Sequence, residues 1–309
     1  MIPDLRGKFG GLLLGALVAC LAGCNRSADS RADLVWGIHG SKDGWLQKPR
    51  VAAFDGKDQL YIADLTDRIQ VFDREGNYLR GWRMPEFNVD GPSGLTVDQL
   101  GRLLVADTHF YRVLVFSPEG KLLQQIGDGV QAATPGRFGY PTDVVIDRLG
   151  NFYVADYGEN DRVQAFSPDG KWLRQWGGHG YEPGEFLRPR ALAIDADDRI
   201  YVADSTNHRI QVFDTQGKLL RYWGEHGSGP GQLAYPYDVA IGPDDAVYVC
   251  EYGNHRVQKF SKEGEPLGVW GASGRRPGQL YNPWALAVDG EGAVSVIDTN
   301  NHRVQRFRF

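Results

Sequence analysis

The chain has 309 residues and a formal net charge of −5, without the basic excess that marks a nucleic-acid footprint. Its 40 Gly, 16 Pro and many β-branched and aromatic residues at alternating positions favour strands and tight turns. Long helical periodicity is absent.

The amino terminus reads as an export signal. Arg6 and Lys8 supply the positive region and Phe9 to Cys20 an apolar core, which is shorter than the roughly 20 residues of a spanning helix. Leu21-Ala22-Gly23-Cys24 supplies the cleavage site. That tetrapeptide resembles the lipobox of bacterial lipoproteins; the alternatives are an ordinary secretory signal or a retained anchor. The resemblance implies a signal peptide over residues 1–23 and acylation of Cys24, an anchor that is stable when two or more chains are attached. Asn25 rather than Asp after the lipid-bearing Cys resembles the lipoproteins sorted to the outer membrane, where a cell has one. Residues 24–32 are small and polar and read as a tether to a folded body over 33–309. With Cys20 removed and Cys24 acylated, Cys250 is the one remaining thiol, so no intramolecular disulfide forms in an oxidising compartment. It replaces Ala63, Ala106, Ala155 and Ala203 of other copies and reads as a small buried side chain.

From Pro49 to the last residue one unit recurs, and PRALAIDADDRIYVADSTNHRIQVFDTQGKLLRYW at 189–223 is a complete copy. Each copy opens on a proline and carries an acidic residue fifteen positions later: Pro49 with Asp64, Pro92 with Asp107, Pro141 with Asp156, Pro189 with Asp204, Pro236 with Glu251, Pro283 with Asp298. The acidic positions follow one another at 43, 49, 48, 47 and 47 residues, the period of propeller blades rather than of helical solenoids. Within 189–223, Ala191 to Ile194, Arg199 to Ala203, Arg209 to Phe213 and Leu219 to Trp223 form four short strands. Turns fall at Asp197-Asp198 and Gln216-Gly217.

The expected fold is therefore all-β: a six-bladed β-propeller of four-stranded blades without a long open sheet edge. The sixth copy stops at Phe309, after its third strand. Trp36 precedes Pro49 by thirteen residues, as Trp176, Trp223 and Trp270 precede Pro189, Pro236 and Pro283. Leu34 to Gly37 is then the outer strand of the last blade, closing the ring.

Asn207-His208-Arg209, Asn254-His255-Arg256 and Asn301-His302-Arg303, each followed by Ile or Val and Gln, resemble the NHL repeat. Asp67-Arg68, Tyr111-Arg112 and Asp161-Arg162 are degenerate copies. The resemblance covers residues 33–309 and implies a six-bladed propeller, a fold that hosts binding modules, sensors and some enzymes. The acidic residue and the Arg of each copy read as a loop-bracing pair. His208, His255 and His302 read as loop braces, as do His39, His179 and His226 in the repeated Trp-Gly-x-His-Gly turn; His109 alone is out of pattern.

What differs between copies at one channel rim carries the functional expectation. The residues after the opening prolines are Arg50, Ser93, Thr142, Arg190, Tyr237 and Trp284; the next position adds Asp143 and Asp238, and the loop after the acidic residue adds His109, Tyr157 and Tyr252. Copies one and four face each other in a ring of six, which sets Arg50 and Arg190 across the channel. Guanidinium groups with aromatic neighbours suit an anionic or peptide-like ligand. The ligand-binding set is Arg50, Arg190, Tyr237, Trp284, Tyr157, Tyr252 and His109, and the partner an envelope protein, a peptide or a small anion, bound by a monomer without cofactor. The amidating lyases of the resembled family place zinc-binding His after opening prolines, and none of these positions is His here. The alternative is a metal-dependent hydrolase or lyase with Asp143 and Asp238 as oxygen ligands.

Overall fold

The computed structural model describes residues 30–86 and 90–309. The expected signal peptide, Cys24 and most of the expected 24–32 tether lie outside the described residues. Gly271 N–H donates to Ser30 Oγ (3.0 Å) and Trp270 Nε1 to the Arg31 carbonyl (3.3 Å).

Six four-stranded antiparallel sheets form the propeller. Blade 4, the complete copy, runs Pro189–Ile194, Ile200–Asp204, Arg209–Phe213 and Leu219–Trp223 from channel to periphery. The inner strands of the other blades are Val51–Phe54, Gly94–Val97, Tyr140–Ile146, Pro236–Ile241 and Ala285–Val288. Blade 6 is completed by Leu34–Trp36, paired antiparallel to Arg303–Phe307 in the register Leu34 to Arg306 and Trp36 to Val304.

The hydrophobic core is divided into six clusters, each shared between two neighbouring blades. Ile62 and Phe72 of blade 1 pack with Ala287 and Ile297 of blade 6, and Val105 and Phe116 of blade 2 pack with Tyr61 and Val71 of blade 1. An isolated blade would expose both faces, so the ring is the unit that buries apolar surface. Cys250 is fully buried in the cluster between blades 5 and 6, and burial pushes its thiol well above the usual range.

The turn glycines do more than supply left-handed φ. A Cβ on Gly217 would stand 2.7 Å from the Trp176 ring of the preceding blade; Gly264 faces Trp223 and Gly76 faces Trp36 in the same way. The outer-strand Trp and the hairpin Gly are thus two halves of one inter-blade contact. In the closing blade, Trp36 also packs on Phe72 of blade 1, ring centroids 4.6 Å apart.

Removal of residues 1–36 opens blade 6 and uncovers this contact. Loss of a packed aromatic costs about 3 kcal/mol or more, which lowers the melting temperature of a domain this size by on the order of 10 °C. A thermal melt of residues 37–309 that matched the full chain would contradict closure through this strand.

Candidate functional site

The loop entering each inner strand is fixed by the repeated acidic residue. In blade 4, Asp204 accepts Leu187 N–H (2.8 Å) and Arg209 Nε (2.8 Å), while the Arg209 guanidinium also donates to the carbonyls of Tyr181, Glu182 and Glu185 at 2.8–2.9 Å. Equivalent pairs join Asp64 to Arg68, Asp107 to Arg112, Asp156 to Arg162, Glu251 to Arg256 and Asp298 to Arg303. Burial still lifts the Asp204 carboxyl above its usual range, against the hydrogen bonds from Leu187, Asn207 and Arg209.

A second brace crosses from blade to blade. His208 Nδ1 accepts Tyr235 N–H (3.1 Å), His255 Nδ1 accepts Asn282 N–H (3.0 Å) and His302 Nδ1 accepts Lys48 N–H (3.0 Å). Burial lowers all three imidazole pKa values, which keeps the accepting nitrogen unprotonated. Tyr235, Asn282 and Lys48 each stand immediately before an opening proline with φ near +50°. His179 instead pairs with Asp161 at 2.9 Å, and His39 stacks on His302.

These braces deliver the residues after the prolines to the channel, a cavity of about 280 Å³. Arg50, Ser93, Arg190, Tyr237 and Trp284 line it, together with Asp143 and Asp238. Thr142 departs from the pattern: its Oγ1 is buried between blades and donates to the Pro189 carbonyl at 2.9 Å. The two guanidinium groups converge on one indole. Arg50 lies 4.4 Å and Arg190 4.8 Å from the Trp284 ring centroid, and Arg190 also covers Tyr237 at 5.0 Å. Tyr252 stacks on Tyr237 at 4.4 Å, behind the cavity wall. Tyr157 does not line this cavity: it is stacked on Tyr140 at 5.0 Å, covered by Arg188 at 5.2 Å, and borders a second pocket of about 180 Å³ with Asp156 and Arg162. His109 Nε2 is 3.5 Å from Asp90.

Three rim residues escaped the sequence reading. Asp90 ion-pairs with Arg50 (3.4 Å) and its carbonyl accepts a second hydrogen bond from that guanidinium, so Arg50 carries its own counter-ion. Tyr140 and Arg188 are the others; both sit one place before an opening proline, a position readable as the last residue of a braced loop.

Arg190 is 7% exposed, and its guanidinium donates no hydrogen bond among the described residues. Burial lowers its pKa, with Tyr237 acting in the opposite sense. Deeper in the channel, Asp143 Oδ1 accepts Val144 N–H (2.9 Å) and Oδ2 accepts Leu192 N–H (2.8 Å). Asp238 repeats this with Val239 and Leu286, both at 2.8 Å. Burial, followed by the charge of Asp238, raises Asp143 well above the carboxylate range; burial moves Asp238 to about 7. Among the described residues no group of three or more His, Cys, Asp or Glu is disposed to hold a metal ion.

The model of the NHL repeat matches residues 90–116, 138–166, 186–213, 233–260 and 280–307, one stretch in each of blades 2 to 6. The chain is a six-bladed propeller with five NHL repeats. In the remaining blade of this propeller, Asp64 and Arg68 stand four apart, against six for Asp156 and Arg162 and five in the other matched blades. The peptidyl-glycine alpha-amidating monooxygenase B of Xenopus laevis is 37% identical over 124 residues, 38% of the chain and 14% of that protein. The NHL repeat-containing protein 3 of Mus musculus is 31% identical over 165 residues, 48% of the chain and 46% of that protein. The propeller thus spans less than half the length of these relatives. A streptogramin B lyase structure superposes with a TM-score of 0.63 over 88% of the chain and 96% of its own, at 14% identity, a likeness of fold alone.

A carboxyl raised to about 7 on folding stabilises the native state fully below pH ~4, and that contribution is lost as pH rises through 7. Asp238→Asn removes this titration but sets an amide donor against a backbone N–H, at a cost of about 1–3 kcal/mol. The variant is expected to melt lower at pH 5 and to lose less stability between pH 5 and 8 than the native protein. Parallel melting-temperature profiles would refute the assignment.

Proposed function

We propose that the propeller is a binding platform that captures an anionic small molecule or peptide at the mouth of its channel. The observation that carries this reading is the Arg190 guanidinium, seated over Tyr237 and Trp284 with no protein acceptor among the described residues and its nitrogens open to the channel. A carboxylate or phosphate bound there supplies acceptors to these nitrogens through charge-assisted bonds. The aromatic neighbours add flat apolar surface for the body of the ligand. Arg50 contributes only where the ligand competes with Asp90. On this reading the partner is an envelope protein, a peptide or a small anion, and the propeller works as a monomer outside the cytoplasm, held to a membrane through acylated Cys24.

The names of the relatives include lyases and monooxygenases, yet a catalytic role lacks support in the residues. No position after an opening proline is His, and every carboxylate oxygen of Asp143 and Asp238 accepts a backbone N–H.

Calorimetric titration with a panel of short acidic peptides and organic acids tests the platform. Arg190→Gln is expected to weaken the best binder by at least about tenfold, the value of one charge-assisted hydrogen bond, without lowering the melting temperature. Binding indifferent to Arg190→Gln, or no binding by any panel member, would sink the reading.

A further inference from the structure

Each inner strand is the free edge of its sheet, so alternate N–H groups along it point into the channel rather than to the neighbouring strand. The residue three places after each opening proline holds this position: Ala52, Leu95, Val144, Leu192, Val239 and Leu286. Their cross-strand partners, Ile62, Val105, Val154, Val202, Val249 and Val296, each two places before the acidic residue of the blade, confirm a common register.

Four of these six N–H groups are occupied, two by each of two carboxylates. Asp143 takes those of Val144 and Leu192 across blades 3 and 4; Asp238 takes those of Val239 and Leu286 across blades 5 and 6. The ring therefore repeats in pairs of blades. Small residues, Gly94, Ala191 and Ala285, alternate with Asp143, Asp238 and, in blade 1, Val51. Val51 pairs with Ala63 in the register in which Asp143 pairs with Ala155 and Asp238 with Cys250. Its side chain ends one bond short of where a carboxylate oxygen would reach. By the shared register the N–H groups of Ala52 and Leu95 face the channel, which both residues line, and no side chain among the described residues accepts them.

We propose that the blade 1 and blade 2 side of the channel is a receptor for a carboxylate carried by a ligand, which completes the set begun by Asp143 and Asp238. The inference deepens the platform reading and rests on it. Two convergent backbone N–H groups match the two oxygens of a carboxylate, as the chain itself demonstrates twice. Ser93, the residue after the opening proline of blade 2, lines the same cavity beside Leu95, and Arg50 stands next to Val51 at the mouth. The ligand is accordingly a slender molecule ending in a carboxylate, with its apolar or aromatic body against Trp284 and Tyr237.

The test uses 4-fluorophenylacetate as probe and 4-fluorophenylacetamide as its uncharged counterpart, titrated into the protein with fluorine detection and with nitrogen-15 labelling of Ala and Leu. The acid is expected to bind at least about tenfold more tightly than the amide and to move the Ala52 and Leu95 amide protons downfield. Val51→Asp, which supplies the carboxylate from the chain, is expected to fold and to weaken the acid at least about tenfold. Should Val51→Asp fail to fold, the amide shifts of the native protein decide alone. Acid binding that leaves Ala52 and Leu95 unmoved, survives Val51→Asp and is lost in Arg190→Gln overturns the channel receptor and leaves the rim platform standing. Absence of any acid binding overturns this proposal, and the platform falls with it if the peptide panel also fails.

Discussion

The structure depends on one buried ion pair repeated six times. A buried carboxylate and guanidinium recover their desolvation cost only when every remaining donor and acceptor is used. Arg209 uses four of its donors: its Nε reaches Asp204 and its terminal nitrogens reach three carbonyls of the loop from blade 3, while Asp204 also takes the N–H of Leu187. The pair therefore serves less as a source of stability than as a fixed point for the loop. Everything at the mouth follows from it, because Arg188, Pro189 and Arg190 are the next residues of the same chain segment.

The imidazole braces extend this fixation around the ring. His302 accepting Lys48 N–H joins the last blade to the first on the channel side, and the Leu34–Trp36 strand joins them at the periphery. Closure is thus made at both the inner and the outer radius. The clusters of apolar side chains lie between these two seams, and each is complete only when both neighbouring blades are present.

A propeller built from identical blades would have a featureless channel. Here the edge N–H groups of the inner strands force a choice in each pair of blades, since an unpaired donor in a buried channel needs an acceptor. Asp143 and Asp238 provide it from the chain, at the expense of two carboxyls that burial raises above their usual range. Blades 1 and 2 carry Val51 instead. At the mouth above them Arg50, the residue before Val51, meets Asp90.

Read alone, the amino-acid sequence determined the architecture: blade number, strand order, the closing strand at Leu34 to Gly37 and the repeated acidic and Arg positions all followed from spacing, because a repeat must place equivalent residues equivalently. It also named the residues that converge at the channel, Arg50, Arg190, Tyr237 and Trp284, since the position after each opening proline is fixed by the fold. Only the tertiary structure decided how these side chains use that position. Arg50 meets Asp90 from a neighbouring blade, Arg190 reaches across two blades to Trp284, Thr142 turns into an inter-blade hydrogen bond, and Asp143 and Asp238 cap strand edges. Each of these outcomes depends on a partner some 40 residues or more away in sequence, as between Arg50 and Asp90 with a separation of 40, and the choice among partners is set by distance and burial in the closed ring rather than by any local pattern.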